Sequence, residues 1–433
     1  MELTIAPGEG LVDEVPELVV RGLRPHEQVT VRIDVTDAAG RAWRSDNRYR
    51  ADARGVAGPA LSAPLAGSYS GVDPSGPWWS MHNVQRHRSP VVFTAPDDQL
   101  TWTVRCAADR ARQVRRTVVR RWRARRVTRT ESMDEGLRVV RFAPRSLSSG
   151  PRPVVVLIPG STSMEAVTPT AALLASRCGF TTVVLGYVGG QGQPRTVANV
   201  PLERFTRAVS ALAERRRVAV VAHSVGTGGA LAALALARVP VRAVVAIAPT
   251  HVVWQALGSG GRPPMTSSWT YRAAPLPYVP VRGELLLPQL ARHALLRRLP
   301  GGRSRSTALR LRSAYGAGLW DSAAVKNALI PVEDITAPLL AVAGTDDAVW
   351  PSEAMARALV ERRRTVAAQD DLLIHPGAGH FMRPPLVPTT ADRDGILVSG
   401  GTPQANALAQ AETWAAMTRF LQRHLGFTEP ADA

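Results

Sequence analysis

With 433 residues and 45% hydrophobic content the chain can bury a large core, and its two cysteines, Cys106 and Cys178, exclude a disulfide framework and share no zinc-like spacing with histidines. The formal charge of +18 is carried almost wholly by arginine, Lys326 being the only lysine, and Ala, Gly and Pro are abundant. That is the pattern of codon bias in a high-GC bacterium rather than the concentrated basic module of a nucleic-acid binder, so neither a nucleic-acid partner nor a metal or cofactor is expected.

The N-terminus, Met1-Glu2-Leu3-Thr4, has no basic or apolar leader region, and no run of about 18 apolar residues follows, so a cytoplasmic protein without a membrane span is expected. Residues 1–145 read as all-β. Leu18–Leu23, Val29–Val35 and Leu100–Val104 alternate apolar with polar residues, and Arg24-Pro25, Ala39-Gly40 and Asp73-Pro74-Ser75-Gly76 supply turns. Short strands at this spacing predict a small immunoglobulin-like β-sandwich. Pro77-Trp78-Trp79-Ser80-Met81 reads as aromatic packing beneath a loop. The arginine-rich run from Arg110 to Arg129 reads first as an exposed segment between domains and second as a binder of an anionic ligand.

From Pro151 the pattern becomes strand and helix in alternation. Val154–Ile158, Thr181–Leu185, Val218–Val221, Val241–Ile247 and Leu339–Ala343 are continuous apolar runs, separated by helical segments at Ala171–Ser176, Leu202–Glu214 and Ala230–Ala237 and followed by Ala405–Leu425. A parallel sheet covered on both faces follows, giving an α/β catalytic domain over residues 146–433. An irregular Pro-, Gly- and Arg-rich stretch at about 250–330 reads as a cap-like insertion over the substrate.

Ser224 lies between the strand Val218–Val221 and the helix Ala230–Ala237, within Ala222-His223-Ser224-Val225-Gly226. Strand, serine, small residue, helix is the pattern of a nucleophile elbow, although a helix N-cap serine has the same local look. The rest of the sheet separates the two readings. An α/β-hydrolase requires an acid after a later strand and a histidine after the last, in the order Ser, Asp, His. Gly344-Thr345-Asp346-Asp347 ends one strand, and Gly377-Ala378-Gly379-His380 follows the strand Asp371–His375. A neutral His380 would take the Ser224 proton while an aspartate orients its ring; Asp347 is the first choice for that acid and Asp346 the second. Backbone N–H donors for an oxyanion are expected at Val225 and Ser161. His375, His223 and His251 are weaker candidates for the base, since none follows the last strand in a glycine-flanked loop.

Over almost its whole length the chain resembles the acyl-CoA thioesterase and bile acid-CoA:amino acid N-acyltransferase family. The resemblance rests on Trp79-Ser80-Met81, on Gly160, Cys178-Gly179-Phe180 and Ser224-Val225-Gly226, and above all on the C-terminal succession of Ile330-Pro331-Val332-Glu333, Gly344-Thr345-Asp346-Asp347, Gly377-Ala378-Gly379-His380 with Arg383-Pro384-Pro385, Gly400-Gly401-Thr402-Pro403 and Trp414. It implies a triad of Ser224, Asp347 and His380 and attack on an acyl thioester of CoA or of an acyl-carrier protein, through an acyl-serine. Water as acceptor makes a thioesterase; an amine or alcohol makes an acyltransferase, and an inactive fold serving as a basic binding module is a third reading. The family's amino-acid-conjugating member carries cysteine as nucleophile, so serine points to hydrolysis. Ala222 and Thr227 stand where the family has glycines, and Gly160-Ser161-Thr162-Ser163 replaces a glycine-rich loop.

Overall fold

A computed structural model describes residues 1–85, 92–96, 99–109, 111–145, 151–161, 164–190, 193–256, 264–298, 309–366, 369–391, 393–394 and 397–426. Six strands of the N-terminal unit are β1 (Glu9–Leu11), β2 (Gln28–Thr36), β3 (Ala42–Arg50), β4 (Ala66–Gly67), β5 (Gln99–Ala107) and β6 (Gln113–Arg121). They form a sheet in the order β1-β6-β5-β2-β3-β4, and the short strand His82–Asn83 also pairs with β3. A two-stranded sheet, Glu2–Ala6 with Glu17–Arg21, makes up the smaller layer of the sandwich. Alternation in β2 and β5 sends every second side chain inward. Trp43, Trp78 and Trp102 fill the centre, the last two with ring centroids 4.7 Å apart.

The arginine-rich run becomes β6, the turn after it and the start of the strand Val127–Asp134. Arg120 is fully buried and spends its guanidinium on the carbonyls of Glu14, Val119 and Pro7, while Arg112 pairs with Glu27 and Asp109, and Arg121 with Glu9. These arginines serve the fold; Arg110 lies outside the described residues.

The second unit is an eight-stranded sheet made of β7 (Val127–Asp134), β8 (Leu137–Pro144), β9 (Val154–Ile158), β10 (Thr181–Gly186), β11 (Val218–His223), β12 (Ala243–Ile247), β13 (Leu339–Gly344) and β14 (Asp371–His375). Its order is β7-β8-β10-β9-β11-β12-β13-β14, parallel from β10 to β14 with an antiparallel hairpin at one edge. This is the sheet of an α/β-hydrolase. Before the expected boundary near residue 145, β7 and β8 already join this sheet through the pairing of Arg138–Phe142 with Thr182–Gly186. β7 is exposed along most of its length, and the pairing of β8 with β10 assigns the hairpin to this sheet.

Along the parallel strands successive side chains enter two cores. Val155, Leu157, Ala219, Val221 and Val245 face the helices α1 (Thr168–Cys178) and, at the C-terminus, Pro403–Leu425, in a core continuous with that of the sandwich. Val154, Val156, Val220, Ala222 and Val244 face α2 (Glu203–Ala213) and α3 (Val225–Ala237). Two fixed anchors join the units. Asp13 accepts from Arg177 (2.7 and 2.9 Å) and from the indole of Trp414 (3.1 Å), tying the N-terminal segment to α1 and to the C-terminal helix.

Candidate active site

The chain reaches Ser224 at the C-terminal end of β11 and turns into α3 with φ 56° and ψ −133° at the serine. This strained conformation is held on every side. Ser224 N–H donates to the Ile247 carbonyl (2.9 Å), and the Ser224 carbonyl accepts from the Thr227 hydroxyl (2.6 Å), which in turn accepts from Thr250 N–H (3.2 Å). Thr227, which stands where glycine was expected, thus clamps the turn. Ala222 fits as well: it is buried beside its register partners Ile158 and Ala246. Ser224 occupies the N-cap position of α3, yet its hydroxyl makes no capping bond.

That hydroxyl meets His380 Nε2 at 2.8 Å, and His380 Nδ1 meets Asp347 Oδ2 at 2.8 Å. The structure therefore brings together Ser224, His380 and Asp347, all buried, from the ends of three strands. Asp347 Oδ1 accepts from Val349 N–H (2.8 Å) and Trp350 N–H (3.2 Å), so both carboxylate oxygens are engaged. Burial alone would raise this carboxyl, but the adjoining His380 and these hydrogen bonds hold it below the usual carboxylate range. Asp346 points elsewhere, accepting from Gly401 N–H at 3.0 Å. Two of the weaker histidine candidates bond elsewhere, while the third, His251, has a buried Nδ1 with no hydrogen-bond partner among the described residues. His375 bonds Thr413 (2.9 Å) and Glu412 (3.1 Å), and His223 Nε2 lies 3.3 Å from the His380 carbonyl.

The loop after β9 runs against the serine. A Cβ on Gly160 would come within 3.1 Å of Ser224 Cβ, and Tyr187 hydroxyl fixes the loop by donating to the Gly160 carbonyl (2.8 Å). Ser161 follows, exposed, while Thr162 and Ser163 lie outside the described residues. Val225 is the first residue of α3, where backbone N–H groups have no intrahelical acceptor and the helix dipole is positive.

Sequence reasoning missed the residues that hold His380 in place. Gly400 and Gly401 (φ 84° and 75°) form isolated bridges with Asp347 and Ala378, binding the acid loop to the histidine loop. A Cβ on Gly400 would lie 2.0 Å from the Asp346 carbonyl, so only glycine fits. The Ser399 carbonyl accepts from His380 N–H (2.8 Å), and Asn406 Oδ1 from Gly379 N–H (2.7 Å). From the sandwich, the Trp79 carbonyl accepts from Thr389 N–H (3.0 Å) and the Met81 carbonyl from the Thr390 hydroxyl (2.5 Å). The aromatic cluster packs as expected, and its backbone also supports the segment after His380. The signal was present in the spaced motifs Trp79-Ser80-Met81 and Gly400-Gly401-Thr402-Pro403, but backbone roles leave no mark in residue chemistry.

The insertion lies on the other side of the triad. Trp254, Tyr315 and Trp350 meet edge to face, and Trp350 meets the His380 ring at 5.6 Å. Residues 257–263 and 299–308 of the insertion lie outside the described residues.

Two half-buried rings make stability pH-dependent. Desolvation lowers His223 and His251 to about 4, with the charge of His380 adding to the effect at His223 and that of Arg362 at His251. Both are neutral in the folded chain, so between pH 6.5 and about 4 the unfolded chain binds protons that the folded chain does not. Stability is full above pH 6.5 and falls as pH drops toward 4, by up to about 3 kcal/mol per ring. Urea unfolding at pH 7.5, 6 and 4.5 should show a midpoint falling in that window, and the fall should shrink in His251→Gln.

Among the described residues there is no cluster of three or more His, Cys, Asp or Glu that could hold a metal, and no helix is long and apolar enough to cross a membrane. Residues 13–133 match the model of the acyl-CoA thioester hydrolase/BAAT N-terminal region, and residues 314–427 that of the BAAT/acyl-CoA thioester hydrolase C terminal. Acyl-coenzyme A thioesterase 2, mitochondrial, of Mus musculus is 27% identical over 442 residues, covering 98% of this chain and 89% of that protein. Acyl-coenzyme A thioesterase 6 of Mus musculus is 26% identical over 448 residues, covering 99% and 98%. Among solved structures, an esterase from the bacterial hormone-sensitive lipase family matches 70% of this chain and 86% of its own at TM-score 0.39 and 15% identity; the fold assignment stands on the strand order instead. With family models matched at both ends and full-length relatives aligned from end to end, the chain belongs to the acyl-CoA thioester hydrolase and bile acid-CoA:amino acid N-acyltransferase family.

Proposed function

We propose that this protein hydrolyses acyl-CoA thioesters through a covalent acyl-serine. The observation that carries the reading is the unbroken relay from Ser224 hydroxyl to His380 to Asp347, with 2.8 Å at each step, in a chain of this family. Ser224 Oγ attacks the thioester carbonyl carbon as its proton passes to His380 Nε2. The oxyanion accepts from Val225 N–H and from Ser161 N–H in the loop after β9. Collapse breaks the carbon–sulfur bond, and the thiolate leaves with the proton from His380; thiols have a pKa near 8.5, so this step needs little assistance. Water then attacks the serine ester, giving its proton to His380 and returning Ser224 as the alcohol with release of the acid. Two free, buried cysteines fit a reducing cytoplasm, where CoA esters occur.

Mixing the protein with a panel of acyl-CoAs, with and without glycine as an amine acceptor, should release free CoA and leave an acyl adduct on the Ser224 peptide by mass spectrometry. Neither should form with Ser224→Ala. Equal CoA release from that variant would sink the reading, and a product carrying glycine would replace it with acyl transfer. Running acyl-carrier-protein thioesters beside the CoA esters tells which carrier is used.

A further inference from the structure

The insertion carries charge and apolar surface that the triad does not use. From Leu285 to Trp320 the sequence holds seven arginines and no aspartate or glutamate. The carboxylates that bound this run are Glu284 before it and Asp321 after it, and Asp321 is spent on Ala324 N–H (3.0 Å) and on Arg282 (3.8 Å). Arg292 and Arg310 are exposed, and among the described residues neither meets a carboxylate. A positive face undiluted by acid attracts an anionic partner.

The same segment turns carbon toward solvent. Nine of the ten tryptophans are buried, whereas Trp320 is 84% exposed. The helix Leu287–Arg298, α4, is fixed from its inner side, where Gln289 Oε1 accepts from Arg310 N–H (2.9 Å) and Gln289 Nε2 donates to the Arg310 carbonyl (3.2 Å). Leu287, Ala291 and Leu295, spaced at i, i+4 and i+8, form a stripe on its outer face, and the two leucines are 61% and 62% exposed. Leu285 and Trp320 extend that surface, since both line one cleft with Gln289 and Arg310. Leucines and a tryptophan grouped outward, with arginine at their rim, mark a surface that is covered in use. An acidic protein would answer the arginines alone. A bilayer answers both features, with phosphate above and acyl carbon beneath, and an indole settles at the level between them.

We propose that this face of the insertion seats on an anionic lipid surface, with Leu287, Leu295 and Trp320 entering the headgroup layer and Arg292 and Arg310 meeting lipid phosphates. The contact is peripheral, because α4 has 12 residues and cannot span a bilayer. The cleft beside Trp320 also reaches Asp346 and Asp347, and Arg312 donates to the Asp347 carbonyl (2.8 Å), so the seated face adjoins the loop that carries the acid. Seating on lipid is independent of the thioesterase reading and is tested by binding.

The native protein is centrifuged with vesicles of equimolar phosphatidylglycerol and phosphatidylcholine, and with phosphatidylcholine alone, in about 0.1 M salt. It should bind the anionic vesicles and leave the neutral ones. Because the whole chain carries +18, the face must be separated from bulk charge. Arg292→Gln/Arg310→Gln should weaken binding about 25-fold, at about fivefold per arginine. Arg115→Gln/Arg116→Gln, an equal loss of charge from exposed positions on β6, should change it by less than about twofold. Leu287→Ser/Leu295→Ser should weaken it at least tenfold, and lipids brominated on the acyl chain should quench the fluorescence of the native protein but not that of Trp320→Phe. Every substituted side chain is exposed, so the fold is not at stake. Absence of binding, equal losses from the two arginine pairs, or quenching that persists in Trp320→Phe overturns the inference. So does a dimer in light scattering that Leu287→Ser/Leu295→Ser dissolves, which makes a second copy the occupant, or capture of an acidic acyl-carrier protein that these variants lose while vesicle binding stays intact.

Discussion

Asp347→Asn is expected to lower kcat by about 10⁴-fold, the scale of error that a wrong histidine tautomer produces, without unfolding the protein. The asparagine amide can keep the Oδ1 bonds from Val349 and Trp350 N–H (2.8 and 3.2 Å), so the acid loop stays in place. What changes is the group facing His380 Nδ1 at 2.8 Å: an NH₂ donor replaces the acceptor. Nδ1 must then accept, the ring proton moves to Nε2, and Nε2 can no longer take the Ser224 proton. No charge remains to stabilise the imidazolium. Asp346→Asn serves as the control, because its carboxylate accepts from Gly401 N–H and does not reach the ring, so its kcat should stay within about threefold of native. Steady-state kinetics on one acyl-CoA, with circular dichroism to check folding, settles the matter. If the two asparagine variants lose equal activity, the assignment of the acid is wrong.

Gly226→Ala adds one carbon and should be almost as damaging. The new Cβ would lie 2.0 Å from the Pro159 carbonyl oxygen, 2.9 Å from its carbon and 3.1 Å from the Ile158 carbonyl oxygen. All three are backbone atoms at the end of β9, so no side chain can swing aside. Relief must come from moving α3, which carries Val225, away from the loop that carries Ser161, so separating the two proposed oxyanion donors. Stability should fall by about 1–3 kcal/mol, the usual cost of overpacking, and kcat by a further 10²–10³-fold, as when an oxyanion donor is lost. Urea midpoint and kcat are measured on the same preparation. A variant that is destabilised but fully active would mean that the β9 loop plays no part in the chemistry.

Much of this architecture can be read from short windows of sequence. Val154–Ile158, Val218–Val221 and Leu339–Ala343 are buried on both faces, and a strand buried in that way must be apolar throughout. The elbow is local too, since strand, serine and helix are contiguous, although the glycine at 226 is required by contact with Pro159 on another strand end. Hence Ser224 and His380, each at a strand end and in the required chain order, stand out without any coordinates.

Other features depend on distance in space. The hairpin Val127–Pro144 lies directly after the sandwich strands in the chain, and only its pairing with Thr182–Gly186 places it in the large sheet. Asp346 and Asp347 are chemically identical neighbours; the bridge from Asp347 to Gly400 turns one toward His380 and leaves the other on Gly401 N–H. Sequence by itself determined which runs lie inside and which polar residues stand at the strand ends, because apolar patterning acts over a few positions. Which carboxylate reaches the histidine was decided by contacts between segments as far apart as Asp347 and Gly400, which only the folded chain brings together.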